Sequence, residues 1–336
     1  MAVKVAINGF GRIGRLVLRG IVESGRKDVE VVAINDLGSA EANAHLLQFD
    51  TVHGRFPAKV TNTKDAIRID GSKIKVTAER DPAALPWGAL GVDIALECTG
   101  LFTAKDKAAA HLAAGAKRVL VSAPAAGADM TVVFGVNHQA LKASHTVVSN
   151  ASCTTNCLAP VAKVLDDTFG IERGYMTTVH AYTGDQPTLD TLHKDLHRAR
   201  AAAANIIPTS TGAAKAVGLV LPRLAGKLDG TAVRVPTPNV SMIDLVFTAN
   251  KALSVDAING AMKAAARSKP LKGVLAVNDK PLVSMDFNHT AASSTFDLTQ
   301  TQVIEGKMGR VLSWYDNEWG FANRMADTAV AMSKLR

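Results

Sequence analysis

The chain is short of cysteine and of aromatic residues, and it has no long apolar run. Only Cys98, Cys153 and Cys157 occur among 336 residues. So sparse and odd a set argues against a disulfide framework and for a reducing compartment, so a cytoplasmic location is expected. No apolar run approaches the roughly 20 residues that span a bilayer, and no membrane association is expected. After Met1 the chain goes directly into V-K-V-A-I, which reads as a strand rather than a secretory signal. Aromatic residues make up 5% of the chain, too few for a base-stacking platform. The net charge of +8 is not gathered into a dense basic block. Nucleic acid is therefore expected only as a secondary partner, and the positive balance suits an anionic substrate. Cys153 and Cys157 form a C-x-x-x-C pair with no second pair, a poor zinc site, and no metal is expected.

What is present is a grammar that changes along the chain. The length suits two domains. Strand-like runs at Val3–Ile7, Glu30–Leu37, V-D-I-A-L-E-C-T-G, R-V-L-V-S-A-P and T-V-V-S-N alternate with helical stretches, including Lys105–Ala114. Alternation of this kind implies parallel pairing in an open α/β sheet. After about residue 170 the strands G-Y-M-T-T-V-H, T-A-V-R-V-P-T-P-N-V-S-M-I-D-L-V-F-T-A and M-G-R-V-L-S-W-Y-D have fewer helices between them. A mainly antiparallel second sheet is expected there. Val255–Ser268 and the tail from Asn317 to Lys334 read as helices. Thr183–Ala202 reads as a long ordered loop, a kind that usually carries function.

The loop G-F-G-R-I-G places Gly9, Gly11 and Gly14 in a dinucleotide fingerprint. The three glycines serve a tight turn, close approach of backbone to pyrophosphate, and packing of helix on strand. The helix that follows repeats Ile13, Leu16, Val17 and Ile21 at helical spacing, with Arg12, Arg15 and Arg19 elsewhere on the wheel, and its N-terminus offers N–H groups to an anion. Asp36 ends the next strand at about the expected 20 residues on, where an acid accepts from ribose hydroxyls and repels a 2′-phosphate. Leu37 follows it, not arginine, so NAD is expected over NADP.

The segment S-N-A-S-C-T-T-N-C-L-A-P sets Cys153 at an expected helix start, where the helix N-terminus lowers a thiol pKa. Cys157, one turn on, and Cys98, within an apolar strand, read as core residues. A nucleophilic thiol needs a basic partner, and His180, ending the strand M-T-T-V-H, is the best placed of nine histidines. Thr183, Arg198, the run P-T-S-T-G with Thr211 and Gly212, and Arg234 cluster where the chain should change direction. Each alone fits a turn, a cap or a surface charge; together they read as phosphate recognition.

Six segments, I-N-G-F-G-R-I-G-R, S-N-A-S-C-T-T-N-C-L-A-P, H-A-Y-T-G-D-Q, P-T-S-T-G-A-A-K-A, R-V-P-T-P-N-V and W-Y-D-N-E-W-G, closely resemble phosphorylating glyceraldehyde-3-phosphate dehydrogenases, in that family's order and essentially end to end. The resemblance implies a Rossmann-type NAD-binding domain over residues 1–152, joined by the C-terminal helix 317–336, and an α+β catalytic domain over 153–316. It implies Cys153 as thioester-forming nucleophile and His180 as base. Thr183 and Arg234 would hold the substrate's phosphate; Ser152, Thr154, Thr211 and Gly212 the attacking inorganic phosphate; Arg198 would line that region. Beside the glycine loop, Arg12, Ile13, Asp36, Arg80, Thr99 and Ser122 would line the adenosine and pyrophosphate side of NAD, and Asn317 would bond the carboxamide. Glyceraldehyde 3-phosphate and inorganic phosphate are the implied small-molecule partners, and the implied assembly is a homotetramer. Two positions depart from the family's habit. Phe321 stands where many relatives carry tyrosine, and Thr191-Leu192 where many strictly NAD-specific members have Leu-Pro, which loosens the exclusion of NADP. The rival erythrose-4-phosphate dehydrogenases resemble this chain less at P-T-S-T-G, whose Thr211 and Gly212 supply donors to the attacking phosphate.

Overall fold

A computed structural model describes residues 2–335; Met1 and Arg336, at the ends of the expected spans, lie outside the described residues. The chain forms two compact units, one of residues 2–134, 138–152 and 321–335, the other of 135–137 and 153–320.

In the first unit the order is β1 (Val3–Asn8), α1 (Arg12–Glu23), β2 (Val29–Asn35), α2 (Ala40–Gln48), β3 (Val60–Thr63), β4 (Ala66–Ile69), β5 (Ser72–Thr77), β6 (Ile94–Glu97), α3 (Lys105–Ala108), α4 (Ala110–Ala113), β7 (Arg118–Val121), β8 (Met130–Thr131) and β9 (Val147–Ser149). They make one nine-stranded sheet in the order β3-β4-β5-β2-β1-β6-β7-β9-β8, parallel except for the β3–β4 and β4–β5 pairs. The order reverses between β1 and β6, which opens a crevice at the carboxyl ends of the strands, where α/β sheets take ligands. Helix α1 lies on the sheet through Leu16, Val17 and Ile21, all buried. Truncating a buried leucine such as Leu16 costs about 2–5 kcal/mol. Arg19 departs from the expected wheel. It is buried, donating from Nε to Glu23 at 3.1 Å and from Nη1 to Gly54 O at 3.0 Å, with its guanidinium over the Phe56 ring. The expected Lys105–Ala114 helix is two single turns broken at Ala109, whose backbone already bonds as the cap of the first turn.

The second unit contains α5 (Cys153–Phe169), β10 (Ile171–Ala181), β11 (Ile207–Ser210), α6 (Ala213–Val220), β12 (Leu228–Val235), β13 (Ser241–Ala249), α7 (Val255–Arg267), β14 (Leu275–Asn278), β15 (Ser294–Asp297), β16 (Gln302–Ile304) and β17 (Met308–Tyr315). Helix α8 (Trp319–Ser333) follows and runs on into the first unit, where Asp327 pairs with Arg26 at 2.6 Å and Thr328 donates to Asn150 at 2.8 Å. The sheet order is β11-β12-β10-β13-β17-β15-β14, with β16 on β17. It is mainly antiparallel, as the sparse helices imply, but β10 and β12 pair in parallel, as do β14 and β15. The long apolar run around P-T-P is two strands, β12 and β13. No element interrupts the chain between β10 and β11, so the expected loop is there. Its Leu189, Leu192 and Leu196 are exposed, Leu192 at 99%.

Candidate active site and cofactor cleft

The first unit holds a cleft of about 370 Å³ lined by Asn8, Gly9, Gly11, Asn35, Asp36, Leu37, Glu79, Arg80, Cys98, Thr99, Leu101 and Phe102. Gly9 has φ +88°, and a Cβ there would lie 2.7 Å from Thr99 N. A Cβ on Gly14 would lie 2.2 Å from Gly9 O, so no side chain fits beneath the loop. At Gly11, by contrast, a Cβ would meet nothing within 4 Å: the space is open on the cleft side. Helix α1 begins after Gly11, a residue that has no side chain to cap it, so the backbone at its N-terminus is approachable from the cleft. These features fit a pyrophosphate at a helix N-terminus.

Asp36 accepts Phe10 N–H at one carboxylate oxygen and Gly38 N–H at the other, both at 2.9 Å, and each oxygen keeps a lone pair for a ribose hydroxyl. Arg12 reaches Asp50 at 2.5 Å, which draws the Asp50 carboxyl down although burial opposes it. Arg80 is exposed on the cleft rim. Thr99 forms its wall. Ser122, after β7, donates its N–H to Glu97 O at 2.9 Å. Cys98 corrects an expectation: it is half-buried on the cleft and not a core residue, because the strand ends one residue earlier, at Glu97. Burial, with the neighbouring Glu97 charge, pushes its thiol far up.

The second unit gathers the reactive groups. Ala151, left-handed at φ +57°, and then Ser152, half-buried at the end of the first unit, lead directly into Cys153, the first residue of α5. Strand β10 ends at Ala181 and presents His180, whose parallel register on β12 pairs it with Arg234. Cys153 Sγ lies 3.5 Å from His180 Nε2. The other ring nitrogen donates to Ala181 O at 2.6 Å, which fixes the tautomer and leaves Nε2 bare toward the sulfur. Tyr315 meets the imidazole edge-on at 5.9 Å between ring centres.

The charge state differs from the expectation of a lowered thiol pKa. Burial pushes the Cys153 thiol up, outweighing the opposing pull of Arg234 and of the Thr154 and helix-end donors. Burial and then the Arg234 charge push His180 down to about 3. Both shifts favour the uncharged form of each partner.

Arg234 donates from Nη1 to Ala181 O at 3.0 Å and to Thr183 Oγ1 at 2.9 Å, and its buried Nε has no partner. A buried guanidinium nitrogen without a partner is costly and fits a site for an anion. The Thr183 hydroxyl donates to Asp185, which also accepts from Arg198 at 3.0 Å. Arg198 further donates to Thr209 Oγ1 at 3.0 Å and Ser210 O at 3.4 Å, which brings it beside the Thr211–Gly212 turn. Gly212 starts α6 without a side-chain cap, and Thr155, in the first turn of α5, donates to Ala213 O at 3.4 Å. Thr154 lies beside the nucleophile: its buried hydroxyl is 2.8 Å from Tyr315 Oη, and its hydroxyl and backbone N–H both bond toward the Cys153 thiol. Asn317 is buried and accepts from Ser241 Oγ at 2.9 Å. Cys157 is a core residue as expected, its thiol against Ser294 Oγ at 3.4 Å and pushed up to about 12. Sequence reasoning missed Asp185, Ser241 and Tyr315; only their positions next to named residues signalled them. Among the described residues no group of three or more His, Cys, Asp or Glu is placed to hold a metal ion.

A glycine-loop crevice on a parallel sheet, with a thiol–imidazole pair beside a half-buried arginine in the second unit, is the equipment of a nucleotide-dependent dehydrogenase. Comparison with known proteins agrees. The family model for the NAD-binding domain of glyceraldehyde 3-phosphate dehydrogenase matches residues 3–105, and that for its C-terminal domain matches residues 152–317. The chain is 72% identical to a glyceraldehyde-3-phosphate dehydrogenase of Xanthobacter flavus and 69% identical to one of Cereibacter sphaeroides, each over the whole of both chains. It is 60% identical to the chromosomal form from Cupriavidus necator, again over the whole of both chains. The chain belongs to the glyceraldehyde-3-phosphate dehydrogenase family.

Proposed function

We propose that the chain catalyses the NAD-dependent oxidative phosphorylation of D-glyceraldehyde 3-phosphate to 1,3-bisphosphoglycerate, in glycolysis and gluconeogenesis. The observation that carries this reading is the Cys153–His180 pair at 3.5 Å beside the unpartnered Nε of Arg234. Residues 1–152 with the C-terminal segment 317–336 serve as the NAD-binding domain and 153–316 as the catalytic domain.

The chemistry follows from the resting state. Cys153 Sγ adds to the aldehyde carbon as its thiol proton passes to His180 Nε2 and on to the new oxygen, giving a hemithioacetal. The Cys153 N–H, at the start of α5, faces the developing oxyanion, a charge that a helix N-terminus favours. NAD⁺, when bound, supplies the hydride acceptor. As the hydride leaves the hemithioacetal carbon, His180 Nε2 takes the hydroxyl proton and a thioester remains on Cys153. Inorganic phosphate attacks that carbonyl, the C–S bond breaks, and the proton on His180 returns to the sulfur as the acyl phosphate departs. Thr183 and Arg234 hold the substrate's phosphate. Ser152, Thr154, Thr211 and Gly212 receive the attacking phosphate, with Arg198 alongside. Asn317 bonds the carboxamide of NAD. Mixing aldehyde and NAD⁺ without phosphate and weighing the Cys153 peptide tests the scheme: a mass increase that phosphate discharges is expected, and an unmodified peptide contradicts it.

We assign a homotetrameric assembly and a cytoplasmic location. The exposed Leu189, Leu192 and Leu196 suit burial against a second copy. A monomeric mass in sedimentation would exclude that assembly. The erythrose-4-phosphate alternative is disfavoured by the Thr211–Gly212 turn. Nucleic acid remains a secondary, salt-sensitive association resting on net charge alone.

A further inference from the structure

Beneath the cofactor cleft, the carboxyl ends of β1, β2 and β6 are tied by a buried polar network that the chemistry above does not use. At its centre is Glu97, the last residue of β6, 1% exposed. Its Oε1 accepts the Thr99 N–H at 2.8 Å and also the Thr99 hydroxyl. Its Oε2 accepts Asn8 Nδ2 at 2.7 Å and lies 2.9 Å from Nε2 of His111, which is fully buried.

The proton positions in this network follow from donor and acceptor types alone. Trp87 Nε1 can only donate, and it lies 3.0 Å from His111 Nδ1. His111 Nδ1 is therefore the acceptor, and the ring proton sits on Nε2, aimed at Glu97. Asn8 Oδ1 accepts from Asn35 Nδ2 at 2.7 Å, so its amide hydrogens face Glu97. The Asn35 amide is fixed in turn, because its Oδ1 accepts from Thr77 Oγ1 and Glu79 N, both at 2.8 Å. Thr99 Oγ1 accepts the Leu101 N–H at 3.0 Å, so its own hydrogen goes to Glu97. Four donors thus converge on one carboxylate.

We propose that Glu97, oriented by His111 and Trp87, is the positioning residue for the dinucleotide. It holds both walls of the crevice at the sheet's switch point. Through Asn8 it fixes the junction that leads into Gly9. Through Thr99 it fixes the backbone against which Gly9 packs. Satisfied networks of this kind rigidify what they hold, and an amide in place of the carboxylate sets donor against donor wherever it turns. This inference rests on the reading of the cleft as an NAD site.

The test is NAD binding by calorimetry, and steady-state kinetics, on the full-length protein carrying Glu97→Gln, Trp87→Phe, Thr99→Val, and Glu97→Gln with Thr99→Val. Glu97→Gln should raise both the Kd and the KM for NAD by about tenfold or more. It should leave kcat at saturating NAD and the KM for the aldehyde within about twofold. Trp87→Phe, which keeps a ring but frees the His111 tautomer, should move the NAD Kd in the same direction and serves if Glu97→Gln does not fold. The double variant should lose less NAD affinity than the two single losses combined, because both changes break the Glu97–Thr99 contact; strictly additive losses overturn the coupling through Thr99. An unchanged NAD Kd in Glu97→Gln, or in Trp87→Phe, overturns the proposal. So does an equal loss in kcat and in the aldehyde KM, which marks a merely structural role. Failure of the wild-type chain to take up NAD overturns the underlying reading and this one with it.

Discussion

Cys153 Sγ and His180 Nε2 stand 3.5 Å apart, in hydrogen-bonding contact across the end of strand β10 and the start of helix α5. Burial disfavours charge on both, and the bond from His180 Nδ1 to Ala181 O leaves Nε2 ready to accept a proton. Cys153→Ser should therefore lose at least about a thousandfold in NADH formation, since an alcohol is far harder to deprotonate, while NAD binding stays within about twofold. Calorimetry and absorbance assays on the same sample check both halves, and near-normal turnover would refute the thioester.

The depressed His180 titration has a consequence for stability. In the unfolded chain histidine protonates near its ordinary value of 6.5, while in the fold the group stays neutral down to about 3. The unfolded state therefore binds the extra proton, and stability is lost as pH falls through that window, by up to about 1.4 kcal/mol per pH unit. His180→Asn should show a shallower loss between pH 6.5 and 3 in denaturant titrations. Parallel curves for wild type and variant would contradict the burial argument.

Arg234 acts on both members of the pair with opposite results. Its charge lowers the Cys153 thiol and also lowers the His180 imidazolium. Arg234→Leu should slow alkylation of Cys153 at neutral pH by about tenfold per unit that the thiol rises. It should also move the His180 titration upward, which NMR of the ring protons reads directly. An unmoved imidazole would place Arg234 outside the electrostatic reach assigned to it.

Asp36 holds the backbone of Phe10 and Gly38 and still has a lone pair on each oxygen for ribose. Asp36→Ala should weaken NAD by about tenfold or more and narrow the preference for NAD over NADP, as a lost charge-assisted bond and a lost repulsion require. Equal losses toward the two cofactors would remove Asp36 from the discrimination.

The features that sequence reveals here are those with a local cause. The glycine loop was legible because Gly9 and Gly14 answer steric demands within a few residues, and the α5 start because a helix with small polar residues at its head announces itself. The alternation of strand and helix gave the parallel sheet, and its loss gave the second one. Less was visible where partners come from far along the chain. Arg19 lies off the apolar stripe of its helix, and nothing local tells that Gly54 and Phe56 fold over it. The short strands β3 to β5 and helix α2 carry no period strong enough to read. Glu97 sits in an apolar strand, and nothing nearby in sequence tells that Asn8 and His111 converge on it. The parallel register that sets His180 beside Arg234 spans 54 positions and is invisible to any local pattern. The raised thiol likewise escaped, because the helix end is local and burial is not.

The most direct test of the account is NADH formation from glyceraldehyde 3-phosphate and NAD⁺, with and without inorganic phosphate, and with erythrose 4-phosphate in parallel. The account predicts steady turnover that requires phosphate and prefers the three-carbon sugar. Steady turnover without phosphate, or preference for the four-carbon sugar, would mean that water discharges the Cys153 thioester and that the Thr211–Gly212 turn does not receive the attacking anion.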